Sequence, residues 1–130
     1  MAPQIDELTI KFPAKSGYLT VIRLNAAAMG SAAGLSVDDL DDLRLAVNES
    51  ATWLLADEEA GGHIELALSS TDGRVVIAAE RSGKALPLRH ADDLIEAILG
   101  ATVDEYHLDQ PAADQRRASL VKVKASPDAG

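Results

Sequence analysis

Apolar and polar side chains alternate over Leu8-Thr9-Ile10-Lys11-Phe12, the two-residue period of a half-buried strand, and Pro13 ends the run. From Gly17 to Ala33 the period lengthens. Tyr18, Val21, Ile22, Asn25-Ala26 and Met29 recur at helical spacing, with Ser16 placed to cap the helix and Gly34 to stop it in a left-handed conformation. Ser36-Val37-Asp38-Asp39 has the form of a capping box with Asp in place of Glu, so a second helix starts there. Its stripe of Leu40, Leu43, Val47 and Leu54, flanked by Leu45, Ala46 and Ala51, carries it to about Ala56, before Gly61-Gly62. Alternation returns in His63-Ile64-Glu65-Leu66-Ala67-Leu68. Thr71-Asp72-Gly73-Arg74 is an Asp-Gly hairpin signal, and Val75 to Ala79 forms the returning arm. Ala91 to Leu99 reads as a third helix, opened by Asp92 and Asp93 and closed at Gly100, and Glu105 to Leu108 and Ala118 to Ala125 read as strands.

This order predicts an α+β fold, a two-layer α/β sandwich whose mostly antiparallel sheet carries its helices on one face. No repeat or linker divides the chain. One domain is expected over residues 1–125, with a frayed tail at 126–130.

Composition narrows the function. The 130 residues hold 12 Lys+Arg against 21 Asp+Glu, a formal net charge of −9, and no basic cluster beyond Arg116-Arg117, which disfavours nucleic acid and anionic membrane surfaces. With no cysteine there is no disulfide, thiolate nucleophile or thiolate metal site. No apolar run approaches the roughly 18 residues of a membrane span, and the first residues lack a leader pattern, so a cytoplasmic location is expected. Four aromatics (Phe12, Tyr18, Trp53, Tyr106) leave the core to aliphatic residues. His63, His90 and His107 lie at no zinc-binding spacing, and Gly61-Gly62 is not followed by the Lys-Ser/Thr of a phosphate loop.

Asp41-Asp42-Leu43-Arg44-Leu45-Ala46-Val47-Asn48-Glu49-Ser50-Ala51-Thr52-Trp53 resembles the segment D-L-R-L-A-V-x-E-x-x-x-N of bacterial anti-sigma factor serine kinases. These RsbW-type proteins belong to the GHKL superfamily, with the Bergerat or histidine-kinase-like ATPase fold. The similarity includes the opening strand with its Phe-Pro-Ala and the Gly-Leu-Ser-Val-Asp-Asp-Leu connection; it covers Leu8 to Leu55 closely and the rest by element order. It implies an ATP-binding sandwich that holds a sigma factor inactive, phosphorylates an antagonist of the anti-anti-sigma (STAS) type and is released by the unphosphorylated antagonist. A homodimer is also implied.

The resemblance assigns Glu49 the role of general base toward a serine hydroxyl or water. Residues four apart share a helix face, so the family's Mg²⁺-binding Asn falls on Trp53, whose indole has no oxygen for a hard cation. The family motif D-x-G-x-G uses its Asp to bind the adenine amino group. Around Arg81-Ser82-Gly83-Lys84-Ala85 one glycine remains and Arg81 takes the Asp position, or Ala79 if Gly83 is aligned as the second glycine. In the lid before the third helix, where glycine amides hold phosphates, Asp92 and Asp93 stand instead and repel a polyphosphate.

Each residue also has an ordinary explanation: Glu49 as a solvated helix residue, Trp53 as core or cleft filler, Asp38, Asp39, Asp41 and Asp42 as a solvated first turn rather than a partner surface, and Ser119 as an edge-strand serine rather than a phosphosite. The expectation is a regulator that acts by protein–protein binding in transcriptional partner switching, a pseudokinase with no cofactor. Two alternatives stand beside it. One is an active ATP-dependent serine kinase using Glu49, with Mg²⁺ held by a carboxylate such as Asp42; the other is a small structural α/β subunit.

Overall fold

The computed structural model describes residues 5–125, and the expected frayed tail at 126–130 lies outside them. Strand β1 (Asp6–Pro13) leads through a 3₁₀ turn (Ser16–Tyr18) into α1 (Leu19–Ala32) and α2 (Val37–Leu55). A second 3₁₀ turn (Glu58–Ala60) precedes the hairpin of β2 (His63–Thr71) and β3 (Arg74–Ser82), then α3 (Asp93–Thr102), β4 (Glu105–Ala112) and β5 (Gln115–Val123). The five strands form one sheet in the order β1-β2-β3-β5-β4, antiparallel at every pairing. The fold class is the one expected.

The two-residue period decides which side of the sheet is covered. Ile64, Leu66 and Leu68 of β2, Val75, Ile77 and Ala79 of β3, and Ala118 and Leu120 of β5 are buried on one face. They share a single apolar cluster with Ile22 and Ala26 of α1 and Leu43, Val47 and Leu54 of α2. The other face carries Glu65, Ala67, Ala78, Glu80, Arg117 and Ser119, around an open depression.

Helix boundaries follow the capping chemistry, with two corrections. The stop of α1 is as expected: Gly34 is left-handed (φ 80°), its amide donates to Ser31 O and that of Leu35 to Gly30 O. Ser36 Oγ accepts from the Asp39 amide at 3.1 Å and starts α2. Ser16, however, caps nothing. Helix α1 proper begins at Leu19, and the Ser16 amide and hydroxyl donate instead to the Glu58 carboxylate. Asp39 is buried as well, accepting from the Ala125 amide at 3.1 Å and lying 3.7 Å from Lys122 Nζ. Lys122 also lies 3.6 Å from Asp42, so half of the acidic stretch is tied to β5 while Asp38 and Asp41 face solvent. Nor does Gly100 end α3, which runs to Thr102. An interior glycine costs about 1 kcal/mol, but full burial of Leu99 and the bond from Lys122 Nζ to Thr102 O (2.7 Å) hold the last turn.

Candidate functional site

Strand β3 places Arg81 two residues beyond Ala79 and therefore on the helix-covered face; β5 places Arg116 directly opposite it, in phase with Ala118 and Leu120. Both guanidiniums are fully buried. Two cations side by side in a desolvated place are unfavourable unless their donors are taken up. Here the end of α2 takes up most of them, and Arg116 Nε stays buried without a partner. Arg81 donates to the carbonyls of Leu54 (3.0 Å), Ala56 (2.5 Å), Asp57 (2.9 Å) and Gly61 (2.9 Å), the groups a helix leaves without partners at its C-terminus. Arg116 donates to Ala56 O (2.8 Å), Pro87 O (2.7 Å) and Asp57 Oδ2 (2.7 Å).

Asp57 is the counter-charge. It sits just past α2 in the left-handed region (φ 62°, ψ 53°), a conformation Asp tolerates better than most residues. Its carboxylate also receives Arg89 Nε (3.0 Å) and Nη2 (3.1 Å). Those bonds from Arg89 and Arg116 hold the Asp57 carboxyl at about 2, below the usual carboxylate range, although burial opposes the shift. Burial lowers the pKa of Arg81, with neighbouring Arg116 adding to it.

The segment between β3 and α3 is pinned to this cluster. Pro87 O accepts from Arg116, Leu86 is buried with its amide on Ala113 O (2.8 Å), and Gln110 Nε2 donates to Leu86 O (3.1 Å). Trp53, 3% exposed, donates its indole N–H to Arg89 O at 3.0 Å. Asp92 caps α3, its Oδ1 accepting from the Ile95 amide at 2.8 Å, while Asp93 is the exposed first helical residue. Ala79 lines a void of about 20 Å³ between α1, α2 and the sheet, which holds the unpaired hydroxyl of Ser50.

Glu49 is half-buried on α2. Asp42 lies seven residues earlier, about 10 Å along the helix axis, and is engaged by Lys122. Gly83 has a backbone reason to be glycine. A Cβ there would stand 2.6 Å from Gly62 Cα, and one on Gly62 (φ 94°) would stand 2.3 Å from Ser82 O. Gly83→Ala is expected to lower stability by about 2 kcal/mol, because the obstacle is backbone; a midpoint unchanged in chemical denaturation would refute that. His63 begins β2, His90 lies in the loop before α3 and His107 is on β4, all exposed and not brought together. Among the described residues no group of three His, Asp or Glu is arranged to hold a metal ion. Ser119 lies on the open sheet face, opposite His107 and away from the arginine pair.

Sequence periodicity alone could have found the pair, since Arg81 and Arg116 are in phase with the buried residues of their strands. Asp57 and Arg89, in loops, give no such signal.

An antiparallel sheet with α1, α2 and α3 on one face is the GHKL-like α+β sandwich. No family model matches the chain. Curated relatives do: it is 29% identical over 85 residues to the serine-protein kinase RsbW of Bacillus cereus (strain B4264), and 28% identical over 85 residues to that of Bacillus anthracis (strain CDC 684 / NRRL 3495). Each match covers 64% of this chain and 53% of the relative, so the chain spans about half the length of the curated relatives it matches. Among solved structures, the RsbU and RsbW domains of Rv1364c from Mycobacterium tuberculosis match with a TM-score of 0.68 and 20% identity, over 94% of this chain and 33% of that one. The chain is thus similar in sequence to serine-protein kinases named RsbW, as the α2 segment implied, and it shares the fold of the RsbU–RsbW structure. No helix among the described residues is long and apolar enough to cross a membrane.

Proposed function

We propose that this chain is an RsbW-type regulator that works by binding proteins and not by binding nucleotide. The observation that carries the reading is Arg81. It occupies the position to which the family resemblance assigns the adenine-binding Asp, and its donors are committed to the end of α2. ATP and Mg²⁺ do not fit the residues present. The Mg²⁺-ligand position is Trp53, buried and bonded to Arg89 O. At the α3 N-terminus the amide of Ile95 is already taken by Asp92. The void beside Ala79, about 20 Å³, compares with roughly 300 Å³ or more for a ligand pocket. The partners would be a sigma factor and an antagonist of the anti-anti-sigma type, with no cofactor.

Isothermal titration with ATP and excess Mg²⁺ tests this, with Trp53 fluorescence as a second readout. The expected result is no binding tighter than about 1 mM. Each lid carboxylate within about 6 Å of a phosphate costs on the order of 2–3 kcal/mol at an effective dielectric near 20. Two such terms remove most of the about 8 kcal/mol of a micromolar site. Saturable micromolar binding would overturn the reading and restore the kinase alternative with Glu49 as base. Failure to retain a sigma factor from native extract would count against the regulatory half.

A further inference from the structure

Strand register fixes what the uncovered face of the sheet presents. Across β1, β2, β3, β5 and β4 one row runs Lys11, Glu65, Glu80, Arg117, Asp109, and the next runs Thr9, Ala67, Ala78, Ser119, His107. Alanines in the middle of the second row leave two adjoining strands with nothing above Cβ. The sheet is hollowed there into the open depression, about 540 Å³, bordered by Glu65, Glu80, Asp109, Arg117, Ser119 and His107. That lies within the roughly 300–1,000 Å³ of sites that take a ligand. Val76 and Val121, half-buried and directly opposite each other, continue the apolar ground one row further on.

Charge on this face does not cancel. Glu65 and Glu80 are paired across β2 and β3, which sets their Cβ atoms about 5 Å apart, a placement in which like charges destabilise a sheet. Arg117 is in register with Glu80 but forms its ion pair with Asp109, at 3.7 Å, on the other side. Lys11, 74% exposed, approaches Glu65 to 3.6 Å from the sheet edge, and Glu80 accepts from a neutral donor, Gln115 Nε2, at 3.2 Å. Three carboxylates and one guanidinium thus border the depression, in a chain of net charge −9. Such a field draws cationic partners toward the face.

We propose that this face docks a basic segment of a partner protein, anchored by one arginine in the depression. The arginine stem lies over Ala67 and Ala78, and its planar fork spans Glu65 and Glu80, whereas a lysine, as a point charge, meets one carboxylate at a time. Arginines seated in this way are among the commonest anchors of protein interfaces. Aliphatic neighbours of the anchor cover Val76 and Val121, and this apolar ground beside the acidic pair selects a peptide over a free cation. The opposed glutamates, a cost in the free chain, are matched in the complex. Because the face lies across the sheet from the helices and the Arg81 cluster, the assignment does not depend on whether nucleotide binds.

Chemical-shift mapping on the isotope-labelled full chain tests the proposal, with the capped tripeptide acetyl-Leu-Arg-Leu-amide as probe, titrated to about 20 mM. The expected result is saturable movement of the Ala67, Ala78, Arg117 and Ser119 amides while those of α1 and α2 stay in place. The same peptide with glutamate in place of arginine moves none of them. Glu65→Gln and Glu80→Gln each weaken the probe about threefold, whereas Glu96→Gln, at an exposed position in the first turn of α3, leaves its affinity unchanged. Both variants in the depression should melt no lower than the parent, since each removes one of two opposed like charges; a docking role is thereby separated from a structural one. Arginine amide that binds as tightly as the tripeptide would assign the depression to a free cation and overturn the docking assignment. Shifts outside this face, or an affinity indifferent to both glutamine variants, would overturn it as well.

Discussion

Replacing Arg81 with methionine is expected to destabilise the protein by about 3–5 kcal/mol, a large share of the roughly 5–15 kcal/mol that holds a domain of this kind together. Methionine keeps much of the volume of the arginine stem, so packing changes little. The loss comes from the carbonyls of Leu54, Ala56, Asp57 and Gly61, which give up their common donor in a place where Arg81 itself has no exposed surface. Arg81→Lys should recover less than half of the loss, since one ammonium cannot reach carbonyls spread across a planar fork. The double replacement Arg81→Met, Arg116→Met should cost less than the sum of the singles, because removing either arginine relieves the other of a neighbouring buried cation. Denaturant midpoints for the four variants check this. An Arg81→Met chain as stable as the parent would mean that the guanidinium contributes no net stability at this site.

That cluster also marks where the sequence was legible and where it was not. The α+β sandwich could be read because its determinants are local. The stripe of Leu43, Val47 and Leu54, the cap at Ser36, the left-handed Gly34 and the Asp-Gly turn each act over a few residues, and each acts as expected. The misplaced boundaries have non-local causes. Ser16 has the chemistry of a cap, but Glu58, distant in sequence, claims it instead. Gly100 fails to stop α3 because Lys122 holds the following turn. At the positions that the resemblance assigns to nucleotide, the sequence carries Trp53, Arg81 or Ala79, Asp92 and Asp93. It carried no sign of what they do. Their partners are backbone carbonyls and amides, which have no sequence identity, together with Asp57 and Arg89 in irregular segments where no period applies.

Because Asp57 joins the arginine cluster to the segment before α3, its protonation is expected to loosen both. Hydrogen bonds from Arg89 and then Arg116 hold its pKa at about 2, against 3.8 for an ordinary aspartate. A lowered folded-state pKa stabilises above the unfolded value, so this contribution is complete above about pH 5 and is lost as pH falls through 4 toward 2. With the Asp57 side chain 15% exposed, the contribution amounts to about 2 kcal/mol. Asp57→Asn keeps the shape and tolerates the left-handed backbone but leaves Arg116, with no exposed surface, without its counter-charge. The expected cost at neutral pH is about 3 kcal/mol or more. The variant's stability should also fall less steeply than the parent's between pH 4 and 2. Asp39 does not confuse the comparison. Burial raises its pKa, but bonds from the Ala125 amide and Ser36 and the charge of Lys122 outweigh that and leave it lowered, in both proteins alike. Trp53 reports the local event, since its indole N–H rests on Arg89 O and its side chain is 3% exposed. Freeing Arg89 from Asp57 should therefore shift the emission of this single tryptophan to the red, before global unfolding in the parent under acid and already at neutral pH in the variant. Parallel stability curves for parent and variant between pH 4 and 2, with unchanged Trp53 emission, would show that Asp57 does not hold the segment.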